Sequence, residues 1–128
     1  MLLLYEFRLI LIRSKKETRI HQKEKHLVLI YGNKIVWQDK RGVSPNADGD
    51  NYYDLYVYDL STKKETQITH SGEANGPTIY GNRIVCQEGS YGYYDVCMYD
   101  LSTKKQTQIT KGGFAYEPVI GGNRILWV

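Results

Sequence analysis

The sequence predicts an all-β chain built from four-stranded antiparallel units, and three observations carry that prediction. First, YDLYVYDLSTKKETQIT at residues 53–69 returns 41 residues later as YDVCMYDLSTKKQTQIT at residues 94–110. Second, IYGNKIVWQ at residues 30–38 returns as IYGNRIVCQ at 79–87 and as IGGNRILWV at 120–128. Third, twelve Tyr stand against two Phe, with Thr, Ile and Val plentiful, a composition that suits a pleated, half-buried sheet. A period of about 40–45 residues holding several short strands is what a four-stranded propeller blade needs.

The bulk numbers bound the rest. A chain of 128 residues has room for one modest domain. Its 41% apolar and 24% charged residues are those of a globular protein and exclude wholesale disorder. The net charge of +3 is concentrated at the start, where residues 1–26 hold seven Lys/Arg against three Glu. The remainder is balanced, so no domain-wide basic field speaks for nucleic acid. The opening MLLLYEFRLILI is interrupted by Glu6 and Arg8. It lacks a basic leader region and a cleavage site, and it is too short and too charged to span a bilayer. It reads as a strand, and the chain as it stands is expected to be cytoplasmic, without membrane insertion.

Taken in order, residues 1–26 read as strands C and D of a half-blade. SKKETRI at residues 14–20 matches TKKETQI at 62–68, and a shift of 48 places Glu6 on Asp54, Leu9 on Val57 and Ile12 on Leu60. Residues 27–69 and 70–110 read as complete blades, and residues 111–128 as strands A and B of a second half-blade. Within the second blade, strand A is assigned to Pro77–Tyr80, strand B to Arg83–Gln87, strand C to Tyr94–Leu101 and strand D to Gln106–Thr110. The last half-blade takes strand A at Pro118–Ile120 and strand B at Arg124–Val128. The Gly-Asn between strands A and B predicts a two-residue type I′ hairpin. Asp100 and Ser102 are expected to bond local amides in the C–D turn. The insertion GVSPNADGDN at residues 42–51 lengthens one B–C loop.

These motifs resemble the TolB-like β-propeller repeats, close to the WD-repeat-like propellers of archaeal cell-surface proteins. The resemblance rests on YGN[KR]IVWQ, on the Y-D-[LV]-x-[VM]-Y-D-L-S-T run, on KK[EQ]TQIT, and on Pro77 and Pro118 before strand A. It implies a propeller fold, six blades and a cell-surface setting. It implies no particular activity. Cys86 departs from the pattern, standing where Trp37 and Trp127 stand in the other copies.

Three blade-equivalents fall short of the usual four to eight. The complementary half-blades therefore predict a homodimer with two composite blades, the alternative being a piece of a longer propeller without selected activity. The dimer's interface would be formed by Leu9, Leu11 and Ile12 at one edge and Ile125, Leu126, Trp127 and Val128 at the other, segments that would otherwise be aggregation-prone edges.

Strand direction places the D–A and B–C loops on one face, and that face carries what varies between copies. Variable loops on a repeated scaffold are where binding sites usually lie. The candidates are Asp48, Asp50, Asn51, Tyr91, Tyr93 and Tyr116, with an unidentified protein or glycan as the expected partner. Tyr rings can stack on sugars. Asn46, Asp48, Asp50 and Asp54 superficially suggest a calcium loop, but the spacing fails. No metal or other cofactor is expected.

Catalysis is not expected. Glu6, Asp54 and Asp95 recur at one position and Asp39 and Glu88 at another, and acids repeated in every blade point to a structural task, where a catalytic pair would be singular. Gly89-Ser90-Tyr91-Gly92 lacks the glycine a nucleophile elbow needs. The lysines at 15, 16, 63, 64, 104 and 105 read as solvated turn residues. Cys86 and Cys97 fall opposite each other on strands B and C, either as a disulfide or as two small core residues.

Overall fold

A computed structural model of the chain describes residues 5–11, 16–22, 25–40 and 53–128, with side chains described from Leu27 onward. Every regular element in these residues is a strand. The first sheet pairs β1 (Tyr5–Leu11) with β2 (Lys16–Gln22). The second runs β3 (Lys25–Tyr31), β4 (Lys34–Asp39), β5 (Asp54–Asp59) and β6 (Lys64–Gln67) in sequence order. The third repeats this with β7 (Ala74–Tyr80), β8 (Arg83–Ser90), β9 (Tyr93–Asp100) and β10 (Lys105–Gln108). The last pairs β11 (Val119–Gly121) with β12 (Arg124–Leu126). All neighbours within a sheet are antiparallel.

The registers repeat with the sequence. Val36 faces Val57 and Trp37 faces Tyr56; in the next sheet Val85 faces Met98 and Cys86 faces Cys97. Alternation along a strand sends these pairs to opposite faces. Val36, Leu55, Val57 and Ile68 of the second sheet meet Ala74, Ile84, Cys86 and Cys97 of the third in one buried cluster. Ile35, Trp37 and Tyr56 form a separate cluster on the other face of the second sheet, with the two rings stacked at 6.0 Å. The second sheet thus has a backward face and a forward face, and its forward face stacks on the backward face of the third.

Two turn types close each unit. The A–B turn differs from the I′ expectation. Gly32, Gly81 and Gly122 have φ of 56°, 60° and 57°, and the following Asn33, Asn82 and Asn123 do not enter positive φ. That is the II′ pattern, in which only the first central position needs glycine. In the C–D turn Asp59 Oδ1 accepts the Ser61 amide at 2.8 Å and the Thr62 amide at 3.3 Å, and Asp100 does the same for Ser102 and Thr103. Lys63 and Lys104 take the left-handed conformation that completes the turn.

A repeated latch joins one sheet to the next. Asp54 Oδ1 accepts the Thr69 hydroxyl at 2.7 Å and the Gly72 amide at 3.0 Å, and Thr69 Oγ1 accepts the Leu55 amide at 2.9 Å. Asp95, Thr110, Gly113 and Val96 repeat it at 2.8, 3.2 and 2.9 Å. Asp54 and Asp95 therefore do serve the scaffold. Parallel bridges between Tyr53 and Glu73 and between Tyr94 and Phe114 then zip each strand C to the segment entering the following sheet.

Thr69→Val removes both roles of a buried hydroxyl and leaves the Leu55 amide bare. It is expected to destabilise by about 1–3 kcal/mol, read by urea unfolding; a change below about 0.3 kcal/mol contradicts the latch. Hydrogen bonds hold three carboxyls below the ordinary value of 3.8: chiefly from the Ser61 side chain at Asp59, from Thr110 at Asp95 and from Ser102 at Asp100. Their contribution is present above pH 3.8 and is lost as the pH falls below it through the folded values. The unfolding midpoint should fall steeply below about pH 4, and an Asp59→Asn, Asp100→Asn variant should show a shallower fall in a thermal melt series.

Candidate functional site

Strand A is longer than its Pro77–Tyr80 assignment, because it continues through a bulge. The registers shift between His26 and Leu29 and between Asn75 and Thr78. A left-handed residue sits at each shift, Leu27 at φ 47° and Gly76 at 61°, and Glu117 takes the equivalent position ahead of β11 at 50°. A bulge re-aims the backbone and leaves an amide without a ladder partner. Here a glutamine from the preceding sheet takes it. Gln38 Oε1 accepts the Gly76 amide at 3.0 Å, and Gln87 Oε1 accepts the Glu117 amide at 2.9 Å. Thr78 adds a second crossing, donating to the Pro118 carbonyl and accepting the Ile120 amide, both at 3.3 Å.

These bulges line a groove of about 580 Å³ on the face of the D–A and B–C loops. Tyr53 and Tyr94 wall it, and Asn75, Thr78, Gln87 and Glu117 supply its polar groups. Reading strand A as Leu29–Tyr31, Thr78–Tyr80, Val119 and Ile120 missed Leu27, Asn75 and Glu117. The available signal was alignment: Glu117 precedes Pro118 as Gly76 precedes Pro77, so a glycine-type position is occupied by an acid.

Beside the groove the B–C connection of the third sheet is a tight hairpin. Its strands run on to Ser90 and Tyr93, which pair with each other. The turn is Tyr91-Gly92, with φ of 53° and 81°, a type I′ turn that places an aromatic residue where glycine or asparagine is usual. Tyr91, Tyr93 and Phe114 are 64%, 63% and 73% exposed. The Tyr93 and Phe114 rings meet edge-on at 6.0 Å. Tyr116 packs edge-on against Tyr94 at 5.8 Å, and its hydroxyl donates to the Gly92 carbonyl at 2.6 Å. Tyr91, Tyr93 and Tyr116 thus come together around one loop pair, and Phe114 joins them unforeseen. Asp48, Asp50 and Asn51 lie outside the described residues, as does Ile12.

Several other polar side chains are engaged with one another. Trp37 Nε1 donates to Asp39 Oδ2 at 3.2 Å, and Gln106 Nε2 donates to Glu88 Oε2 at 3.0 Å. Cys86 and Cys97 face each other across β8 and β9 as free thiols. Cys97 Sγ instead donates to Glu88 Oε2 at 3.6 Å. Burial, reinforced by the Glu88 charge, pushes the Cys97 thiol up to about 11 and raises Cys86 well above 9.0. Both stay protonated at neutral pH, which makes them packing residues and poor nucleophiles.

No protein-family model matches the chain, and no curated protein matches it significantly. Among solved structures it is similar to the β-propeller domain of the Trilobed protease from Pyrococcus furiosus, a domain described as having an open velcro topology. The TM-score is 0.53 at 10% identity, over 97% of this chain and 48% of that one. The chain thus spans about half the length of the structure it matches. At this identity the likeness shows the fold alone: the chain is built of β-propeller blades.

Two outcomes test this geometry. Glu117→Gly relieves a left-handed acid and is expected to raise stability by about 1 kcal/mol, measured by urea unfolding; a loss would mean that the carboxylate, not the backbone, decides that position. A thiol reagent at pH 7.5 should label neither cysteine in the native chain and both in denaturant; rapid native labelling would contradict the burial of Cys86 and Cys97.

Proposed function

We propose that this chain is a non-enzymatic binding module of the TolB-like propeller type, and that its ligand meets the D–A/B–C loop face. The observation that carries this reading is the exposed aromatic group Tyr91, Tyr93 and Phe114 on the loop pair whose Tyr94 walls the groove. Large apolar side chains held in water on a strained turn are expensive for a scaffold, and they concentrate where another surface is to be met. The groove is walled by Tyr94, on which Tyr116 of the same loop pair packs while bonding Gly92, and it offers amide, hydroxyl and carboxylate groups from Asn75, Thr78, Gln87 and Glu117. Rings next to convergent hydrogen-bonding groups favour a glycan within this reading, since a ring face covers the C–H side of a sugar while neighbouring polar groups take its hydroxyls.

The experiment is a glycan array read with the wild type and with a Tyr93→Ser, Phe114→Ser variant whose melt is unchanged. Binding to a defined subset of glycans, weakened at least tenfold in the variant, supports the glycan reading. Silence on the array, with variant-sensitive binding on a peptide array, assigns the same face to a protein ligand. Turnover of ester or glycoside substrates by the wild type would overturn the non-enzymatic reading.

A further inference from the structure

The stacking of forward face on backward face occurs twice among the described residues, and each time it buries one β4-type side chain completely. Val36 on β4 and Val85 on β8 are both 0% exposed. Leu126 on β12 occupies the same repeat position and is 72% exposed. Its cross-strand partner Val119 is 53% exposed, and Val128, two residues further along the same face, is 78% exposed. Ile125 and Trp127 alternate to the other face, where Ile120 is buried, Ile125 half-buried and Trp127 47% exposed, so the backward face of this sheet is covered in part and its forward face is bare. Leu126, Val128 and Val119 form the barest surface of this sheet.

The edge is open in the same way. β4 and β8 each have a strand C on their outer side, whereas among the described residues β12 pairs with β11 alone. At the other end of the sequence, β1–β2 is a sheet of the type that β12 lacks. Its register is that of β5–β6: Arg8 faces Arg19 as Tyr56 faces Gln67, 48 residues on. Among the described residues β1 pairs with β2 alone, so its other edge is open too.

We propose that the forward face and outer edge of β11–β12 receive β1–β2 of a second copy of this chain, head to tail, with Leu126 opposite Leu9, Trp127 opposite Arg8 and Val128 opposite Phe7. The second copy is the occupant because this register continues the one inside the chain. Leu126 and Leu9 take the places of Val36 and Val57, and of Val85 and Met98, apolar on both sides every time. Ile125 and Ile10 take those of Ile35 and Tyr58. Each copy offers one acceptor edge and one donor edge, so the contact made twice closes a two-fold ring of six blade-equivalents with two composite blades.

Backbone parity supplies a variant that blocks one edge. The Leu55 amide and carbonyl bond Thr69 and Ile68 on the β6 side, so Tyr56 turns its own amide towards β4. Arg8, the Tyr56 equivalent, therefore aims its amide at the open edge of β1, and Arg8→Pro removes a donor there without touching the β1–β2 ladder. Leu126→Asp blocks the other surface. The experiment is light scattering behind size exclusion on the full chain. The wild type is expected at twice 14.8 kDa, Arg8→Pro alone and Leu126→Asp alone at the monomer mass, and their equimolar mixture back at the dimer mass, because one copy keeps the donor edge and the other the acceptor face. Recovery in the mixture also shows that both variants fold. A monomeric wild type, as closure of β1 onto β12 within one copy would give, overturns the proposal. So does a single variant that stays dimeric, or a mixture that stays monomeric.

Discussion

A carboxylate at the start of strand C decides how one blade meets the next. Asp54 and Asp95 each gather a threonine hydroxyl and a glycine amide from the loop leaving strand D. That loop has no strand partner for its backbone, and buried amides without partners are costly. The acid supplies the partner, and in doing so it fixes where the following strand A begins. The parallel bridges at Tyr53–Glu73 and Tyr94–Phe114, the glutamine contacts to the bulges, and the stacking of Val36 and Leu55 on Ile84 and Cys86 all depend on that starting point. The apolar core supplies the bulk of the driving force, and the latch supplies its alignment.

Much of this architecture could be read from the sequence because it repeats. Strand existence, order and C–D turn chemistry followed from the two copies of Y-D-x-x-x-Y-D-L-S-T and from the Gly-Asn turns. What escaped was long in range or set by backbone geometry. The lengthened β7 depends on Gln38 reaching Gly76, and the entry to β11 on Gln87 reaching Glu117, contacts 38 and 30 residues apart that no local pattern announces. The II′ turn was hidden because Gly-Asn satisfies both primed types and only the φ of the asparagine separates them. At the loop face, Tyr91, Tyr93 and Tyr116 stood out as variable aromatics. Phe114 did not, because it falls among glycines in a connection that reads as irregular.

The second blade also shows how much side-chain variation this stacking tolerates. Trp37 and Tyr56 stack on the backward face of one sheet, and Cys86 and Cys97 hold the same positions on the next. The smaller pair lets the sheet pack closely on Val36, Leu55 and Val57. The strand registers are the same in both cases, so backbone pairing and the latch, not side-chain volume, hold the blades in line.

The bulge in strand A carries a consequence of its own. Leucine, glycine and glutamate occupy the same left-handed backbone position in successive blades, and the amide there is bonded by a side chain from the neighbouring sheet in both blades where that contact is described. Main-chain shape is therefore decoupled from residue identity at the lip of the groove. An apolar, an absent and an anionic side chain can be exchanged there at the cost of a modest conformational penalty. Repeated blades thus offer a row of interchangeable sockets, and the chemistry of the groove can be rewritten one blade at a time while the blades themselves stay as they are.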